Sequence, residues 1–194
     1  MDKNSKRHAH SIVKIGVAGA TNIGHCGVDA LDIGQELGRE IVRHGAMALT
    51  GATTGFPLWV AQGVKDEGGM NIGFSPAATQ KEHSEVYRLP VDFMDVIVYT
   101  GFGYVGRDLL FTRSSDALIL GCGQIGTIHA FSIAFQDKKP IGVLEGPWKV
   151  DDTVRSLLET DKEASKMVVF DKDPKRLLEK VLELVKEYKT TIEK

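Results

Sequence analysis

Seven short apolar runs cross this chain, and four of them end in a glycine-rich turn that opens a helical stretch. Ile12–Ala18 (IVKIGVA) is strand-length and rich in β-branched residues. The turn Gly19–Gly27 follows, then a helix over Val28–His44, where Ile33, Leu37 and Ile41 recur every four residues and Gly45 offers a stop. Ala46–Thr50 is a second strand, leading through Gly51–Gly55 to a helix that Pro57 opens and that runs to about Glu67. Asn71–Phe74 and Val96–Tyr99 read as the third and fourth strands. The turn Gly101–Gly106 then leads into a helix over Val105–Ser115. Ala117–Leu120 is the fifth strand, and Gly121–Gly126 leads into a helix through Phe135. Pro140–Leu144, a short helix at Val154–Glu159 and Met167–Phe170 come next. A last helix from Pro174 carries Leu177, Val181, Leu184 and Val185 on one stripe. The runs lack two-residue alternation, so both faces of each strand are covered. Alternating strands and helices of this kind predict a doubly wound α/β fold: a mainly parallel sheet of about seven strands with helices on both faces.

A chain of 194 residues suits one domain, here 11–190, with residues 1–10, including His8 and His10, expected to be disordered. A domain this long buries about 70% of its unfolded surface and needs no disulfide or metal staple. Two cysteines, Cys26 and Cys122, are too few for a secreted scaffold and fit a reducing compartment. No secretory leader pattern or membrane-length apolar run is present, so a cytoplasmic location and no membrane partner are expected. With 24 basic and 26 acidic residues, a dedicated nucleic-acid binder is disfavoured. The polar stretch Ala77–Asp92 has no period and reads as a long loop, a class that is often functional.

Four glycine turns between strand and helix converge on the C-terminal edge of such a sheet. Helix N-termini there present free N–H groups, and glycine admits an anion closely. Glycine also simply makes tight turns, but four on one edge favour a phosphate-bearing ligand. The candidate contacts are Gly19, Ala20, Thr21, Gly51, Gly55, Gly101, Arg107, Gly123, Gln124, Gly126, Thr127 and His129. The first turn is G-A-T-N-I-G, and no G-x-x-x-x-G-K-[ST] occurs, so neither standard nucleotide fingerprint is present. Arg107, at a helix start beside Gly103 and Gly106, is placed to fork onto a phosphate, whereas Arg113 lies deeper and reads as structural. Thr127 caps the next helix or binds phosphate oxygen, and His129 faces either the pocket or solvent. No metal-ligand spacing stands out, and Asp92 and Asp95 make no convincing carboxylate pair.

The segment RDLLFTRSSDALILGCGQIGTIHA, from Arg107 to Ala130, resembles the LONELY GUY family, often mislabelled lysine decarboxylases, within the SLOG superfamily of Rossmann-like nucleotide-binding proteins. LTGATTGFPLWVAQGVKDEGGMNIGFSP is similar to that family's second glycine turn, helix and third strand, and the likeness covers roughly residues 12–145. The family's enzymes cleave the N-glycosidic bond of nucleoside 5′-monophosphates. The resemblance implies a substrate or catalytic role for Arg107, phosphate-loop roles for Gly123, Gly126 and Thr127, and a place in the same crevice for Gly51 and Gly55. Cys122, Gln124 and Ala130 stand where the family's P-G-G-x-G-T-x-x-E motif has proline, its second glycine and glutamate. Losing a positioned acid or base costs ~10²–10⁴-fold in rate. Molybdenum cofactor carrier proteins also resemble this superfamily and bind a phosphorylated pterin without chemistry.

The expected function is therefore binding of a phosphorylated small molecule, a nucleoside 5′-monophosphate first, with no resident cofactor. The alternatives are a phosphoribohydrolase, with Glu82 or Glu85 as the acid, and a pterin carrier. Lysine decarboxylation is excluded on chain size and the lack of a suitable lysine. The resemblance also implies a homo-oligomer.

Overall fold

A computed structural model describes residues 12–192, so residues 1–10 with His8 and His10 lie outside the described residues. The strands are β1 (Lys14–Ala18), β2 (Met47–Thr50), β3 (Asn71–Ser75), β4 (Val96–Tyr99), β5 (Ala117–Leu120), β6 (Ile141–Leu144) and β7 (Val168–Asp171). They form one sheet in the order β4-β3-β2-β1-β5-β6-β7, and every pairing is parallel. The expected Rossmann-like doubly wound fold is present, with no antiparallel strand among the described residues.

Why both faces of the strands are apolar is visible residue by residue. Ile15 and Val17 of β1, with Ala117 and Ile119 of β5, face one core. It is closed by α1 (Ala30–Arg43), α2 (Phe56–Asp66) and α7 (Pro174–Ile192). Ala18, Leu118 and Leu120 face the other core. There they meet Phe111 of α3 (Gly103–Ser114), Phe131 of α4 (Ile125–Gln136) and Val154 of α5 (Val150–Leu158). A one-turn α6 (Lys162–Ser165) precedes β7. The α1 stripe is as expected: Leu37 and Ile41 are buried, and Ile33 packs on the same core half-buried.

Two helices approach closely through glycine. A Cβ on Gly38 of α1 would sit 2.1 Å from the Val60 carbonyl oxygen, and one on Gly63 of α2 would sit 1.9 Å from that of Gln35. The stretch read as the long loop contains one π-turn, Glu82–Val86, anchored by buried His83 between Ser75 Oγ (2.8 Å) and the Pro90 carbonyl (2.9 Å).

The cysteines correct an expectation. Cys26 and Cys122, 96 residues apart in sequence, are joined as a disulfide. Their separation in the chain hid this, but β1 and β5 are neighbours in the sheet, so the loops leaving their C-terminal ends meet. The chain, long enough to need no disulfide staple, carries one nonetheless. No described helix is long and apolar enough to cross a membrane.

Candidate functional site

The strand order runs one way from β1 to β4 and the other way from β5 to β7. A crevice opens where such an order reverses, outside the strands' carboxyl ends. A cavity of about 560 Å³ occupies it. The loop after β1 lines it with Gly19, Ala20 and Thr21, and the loop after β2 with Gly51, Thr53 and Thr54. The first turn of α4 adds Gln124 to Thr127, and α3 adds Tyr104, Arg107 and Asp108. Tyr87, Arg88 and Leu89 come in from the segment after the π-turn.

The cavity floor offers unspent hydrogen-bonding groups. No side chain caps α4 at Gln124; the Thr127 N–H donates to the Gln124 carbonyl at 2.9 Å, which leaves the Ile125 and Gly126 N–H groups of the first turn to meet a ligand. Thr127, 3% exposed, holds a buried Oγ1 with no partner, and so does Thr53, 4% exposed. Such orphans cost roughly 1–3 kcal/mol each when nothing meets them. The start of α2 differs: the Phe56 N–H donates to the Ala20 carbonyl at 3.0 Å, so that end is already used.

Arg107 is buried and lines the cavity, yet much of its guanidinium is engaged by the protein. Nη1 donates to the Gly51 carbonyl and, at 3.3 Å, to that of Phe74, tying the ends of β2 and β3 to α3. Nε lies 3.0 Å from Asp108 Oδ1 but is not aligned for a hydrogen bond. Burial pulls the Arg107 pKa below the ordinary arginine value, and the Asp108 carboxylate opposes this. A Cβ on Gly51 would meet Arg107 Nη1, so any larger residue there displaces the guanidinium. The Arg107 guanidinium also lies 5.5 Å from the Tyr104 ring centroid, and Tyr104 meets Tyr87 edge-to-face at 5.5 Å. These rings put aromatic surface beside the polar floor.

Gly19, Ala20, Thr21, Gly51, Arg107, Gln124, Gly126 and Thr127 come together at the cavity as the sequence indicated. Gly55, Gly101, Gly123 and His129 do not line it. Gly55 has φ of 75°, and a Cβ would strike the Ala20 carbonyl oxygen at 2.2 Å, so it serves the turn. Gly101, with φ of 71°, sits against Ala78 instead. Gly123 backs onto Thr127 and lines a neighbouring cavity. His129 turns to Asp108, Nδ1 to Oδ2 at 3.0 Å. Arg113 is exposed and pairs with Asp137, away from the crevice. Thr53, Arg88 and Asp108 were not singled out. Thr53 sits inside the second glycine turn, where T-T offered the signal, while Arg88 lies in the aperiodic stretch and gave none.

Ala130 lines the cavity where the resemblance places a glutamate. Asp108 supplies the one carboxylate among the lining residues, and it is held between Arg107 and His129. Glu82 and Glu85 are not among the lining residues, and the Glu82 carboxylate accepts the Ala78 N–H at 2.8 Å.

A second cavity, about 490 Å³, lies on the far side of Gln124 and Ile125, lined also by His25, Ile128 and Trp148. His25, Cys26 and Cys122 form the one group of metal-type donors found among the described residues, all within 4.8 Å. With both sulfurs in the S–S bond, neither is a thiolate ligand.

Comparison with known proteins bears on the family and the fold. Residues 12–178 match the sequence model of the SLOG cluster4 family. An uncharacterized protein of Archaeoglobus fulgidus is 29% identical over 153 residues, 79% of this chain and 92% of that one. The molybdenum cofactor carrier protein of Chlamydomonas reinhardtii has a similar structure: TM-score 0.73 and 25% identity, over 89% of this chain and 98% of that one. The molybdenum cofactor binding protein of Rippkaea orientalis shares the fold: TM-score 0.75 and 23% identity, over 91% of this chain and 99% of that one.

Proposed function

Because the chain belongs to the SLOG cluster4 family, with unspent donors at a sheet-edge cavity, we propose that it binds and carries a phosphorylated pterin of the molybdenum cofactor type. The observation that carries this reading is the pair of buried, partnerless hydroxyls, Thr53 and Thr127, in the cavity that the uncapped start of α4 also lines. A phosphate monoester supplies acceptor oxygens for both hydroxyls and for the N–H groups of that turn. Tyr87 and Tyr104 offer rings against which a flat heterocycle packs. The similarity to the Chlamydomonas carrier favours a pterin over a nucleoside 5′-monophosphate, which the same floor would also hold.

Carriage fits better than glycosidic cleavage. Cleavage needs an acid or base near the reacting bond, and the cavity's one carboxylate is engaged by Arg107 and His129. The carrier is also proposed to be a homo-oligomer with a cytoplasmic place of work, as expected from the sequence.

Native mass spectrometry of the purified protein, followed by titration with phosphorylated pterin and with AMP, tests the reading. Thr127→Val is expected to weaken binding about tenfold, the loss of one charge-assisted hydrogen bond of ~1.5 kcal/mol. It should leave thermal stability equal or higher, because an orphaned buried hydroxyl is removed. Unchanged affinity in Thr127→Val removes this floor from the site. Release of free base from AMP returns the hydrolase reading.

A further inference from the structure

The disulfide lies behind the cavity and joins two of the loops that build it. Between Thr21 and Asp29 Cys26 is the one buried residue; His25 is half-buried and the rest are exposed, Val28 at 95%. The hydrogen bonds of residues 22–28 are mostly local: Cys26 N–H to the Ile23 carbonyl and Gly24 N–H to Asn22 Oδ1. His25 reaches across to Gln124 Nε2 at 3.4 Å and to Cys122 Sγ at 3.5 Å. The S–S bond is thus the main anchor of this loop to the sheet. On one side of the bond, Gly19 to Thr21 line the cavity; on the other, Gln124 to Thr127 do.

We propose that Cys26 and Cys122 form a thiol–disulfide redox site that exchanges with a dithiol and thereby sets the order of the 19–29 loop. The influence on the cavity rests on the phosphate-binding reading above; the redox site itself does not. A thiolate of the dithiol attacks Cys26 Sγ, the Sγ–Sγ bond breaks, and the electron pair leaves on Cys122 Sγ beside the His25 ring. The second thiol of the reductant attacks the mixed disulfide, and Cys26 leaves. The reductant departs as its own disulfide, and its two thiol protons end on Cys26 and Cys122. Two electrons pass, and a disulfide reverses the reaction. Both sulfurs are fully buried, so exchange proceeds through opening of the loop. In the oxidised state the loop is pre-organised and binding costs less ordering; in the reduced state the loop is released.

The test uses the full chain, oxidised and reduced, with thiol counting, hydrogen–deuterium exchange and AMP titration. The cysteines are expected to titrate together as one two-electron couple in dithiothreitol redox buffers. Amides of residues 20–28 should exchange about tenfold faster after reduction while β6 and α7 do not change. AMP affinity should fall several-fold on reduction, and Cys122→Ser should match the reduced wild type. Free thiols persisting in oxidised dithiothreitol, or equal loop exchange in both states, overturn the proposal. Equal AMP affinity in the two states overturns its link to the cavity. Failure of both AMP and phosphorylated pterin to bind either form counts against the ligand reading, while the exchange data still judge the redox site.

Discussion

Arg107 and Arg88 both line the cavity, and they are expected to fail in opposite ways when removed. Arg107→Ala strips the carbonyls of Gly51 and Phe74 of a donor and leaves Asp108 without its buried cation. Unmet buried groups of this kind cost about 2–4 kcal/mol, so thermal denaturation should show a clear drop in Tm. Arg88 is exposed, and no ion pair engages it among the described residues. Arg88→Ala should leave Tm within a degree or two. It should weaken binding of a phosphorylated ligand and flatten the salt dependence of that binding, since one exposed cation no longer contributes. A calorimetric titration at two salt concentrations checks it. If instead Arg107→Ala melts like the wild type and abolishes binding, Arg107 is a ligand group and not a tie between strands.

At the scale of elements, the strands were legible because each is an apolar run closed by glycine or a turn; Val96–Tyr99 and Ala117–Leu120 stand where the sequence put them. The π-turn at Glu82–Val86 was not, because its anchor is the burial of one histidine, a tertiary fact with no local period. Glycine meant different things that spacing could not separate. Gly19 and Gly126 border the cavity, Gly55 makes a turn, and Gly38 with Gly63 lets two helices touch. The disulfide escaped for the same reason as the π-turn, since strand order and not sequence distance decides which loops meet. One junction carries a pH signature. Asp171 at the end of β7 accepts from Arg176 and Lys180 of α7, which hold its pKa below the ordinary aspartate range. A depressed folded-state value means the stabilisation is complete above about pH 4, the unfolded value, and is lost as pH falls below it. Asp171→Asn should therefore lower Tm at pH 7, with the difference from wild type shrinking as pH drops toward 3.

At the scale of the whole molecule, the β4 edge of the sheet leaves apolar side chains exposed. Val96 and Val98 of β4 are 49% and 39% exposed. Register pairs them with Ile72 and Phe74, and Phe74 meets Phe111 of α3, so these valines share the α3 face of the sheet. β4 is the edge strand there, and the neighbouring α3 segment exposes Phe102 at 69%, Val105 at 71% and Leu109 at 45%. A doubly wound sheet buries both faces, and a contiguous apolar patch at an edge marks an interface. A second copy of the chain is the occupant the resemblance led us to expect, and closed two-fold pairing lets one patch cover itself. Light scattering behind a sizing column should then give a mass of at least twice 21.2 kDa. Val105→Asp, in the first turn of α3 where the side chain is largely exposed, should halve that mass and leave far-UV circular dichroism unchanged. A monomeric wild type would assign the patch elsewhere. Tyr104 belongs both to this segment and to the cavity wall, so Val105→Asp should also weaken ligand binding if the partner steadies α3, and leave it untouched if each protomer's cavity stands alone.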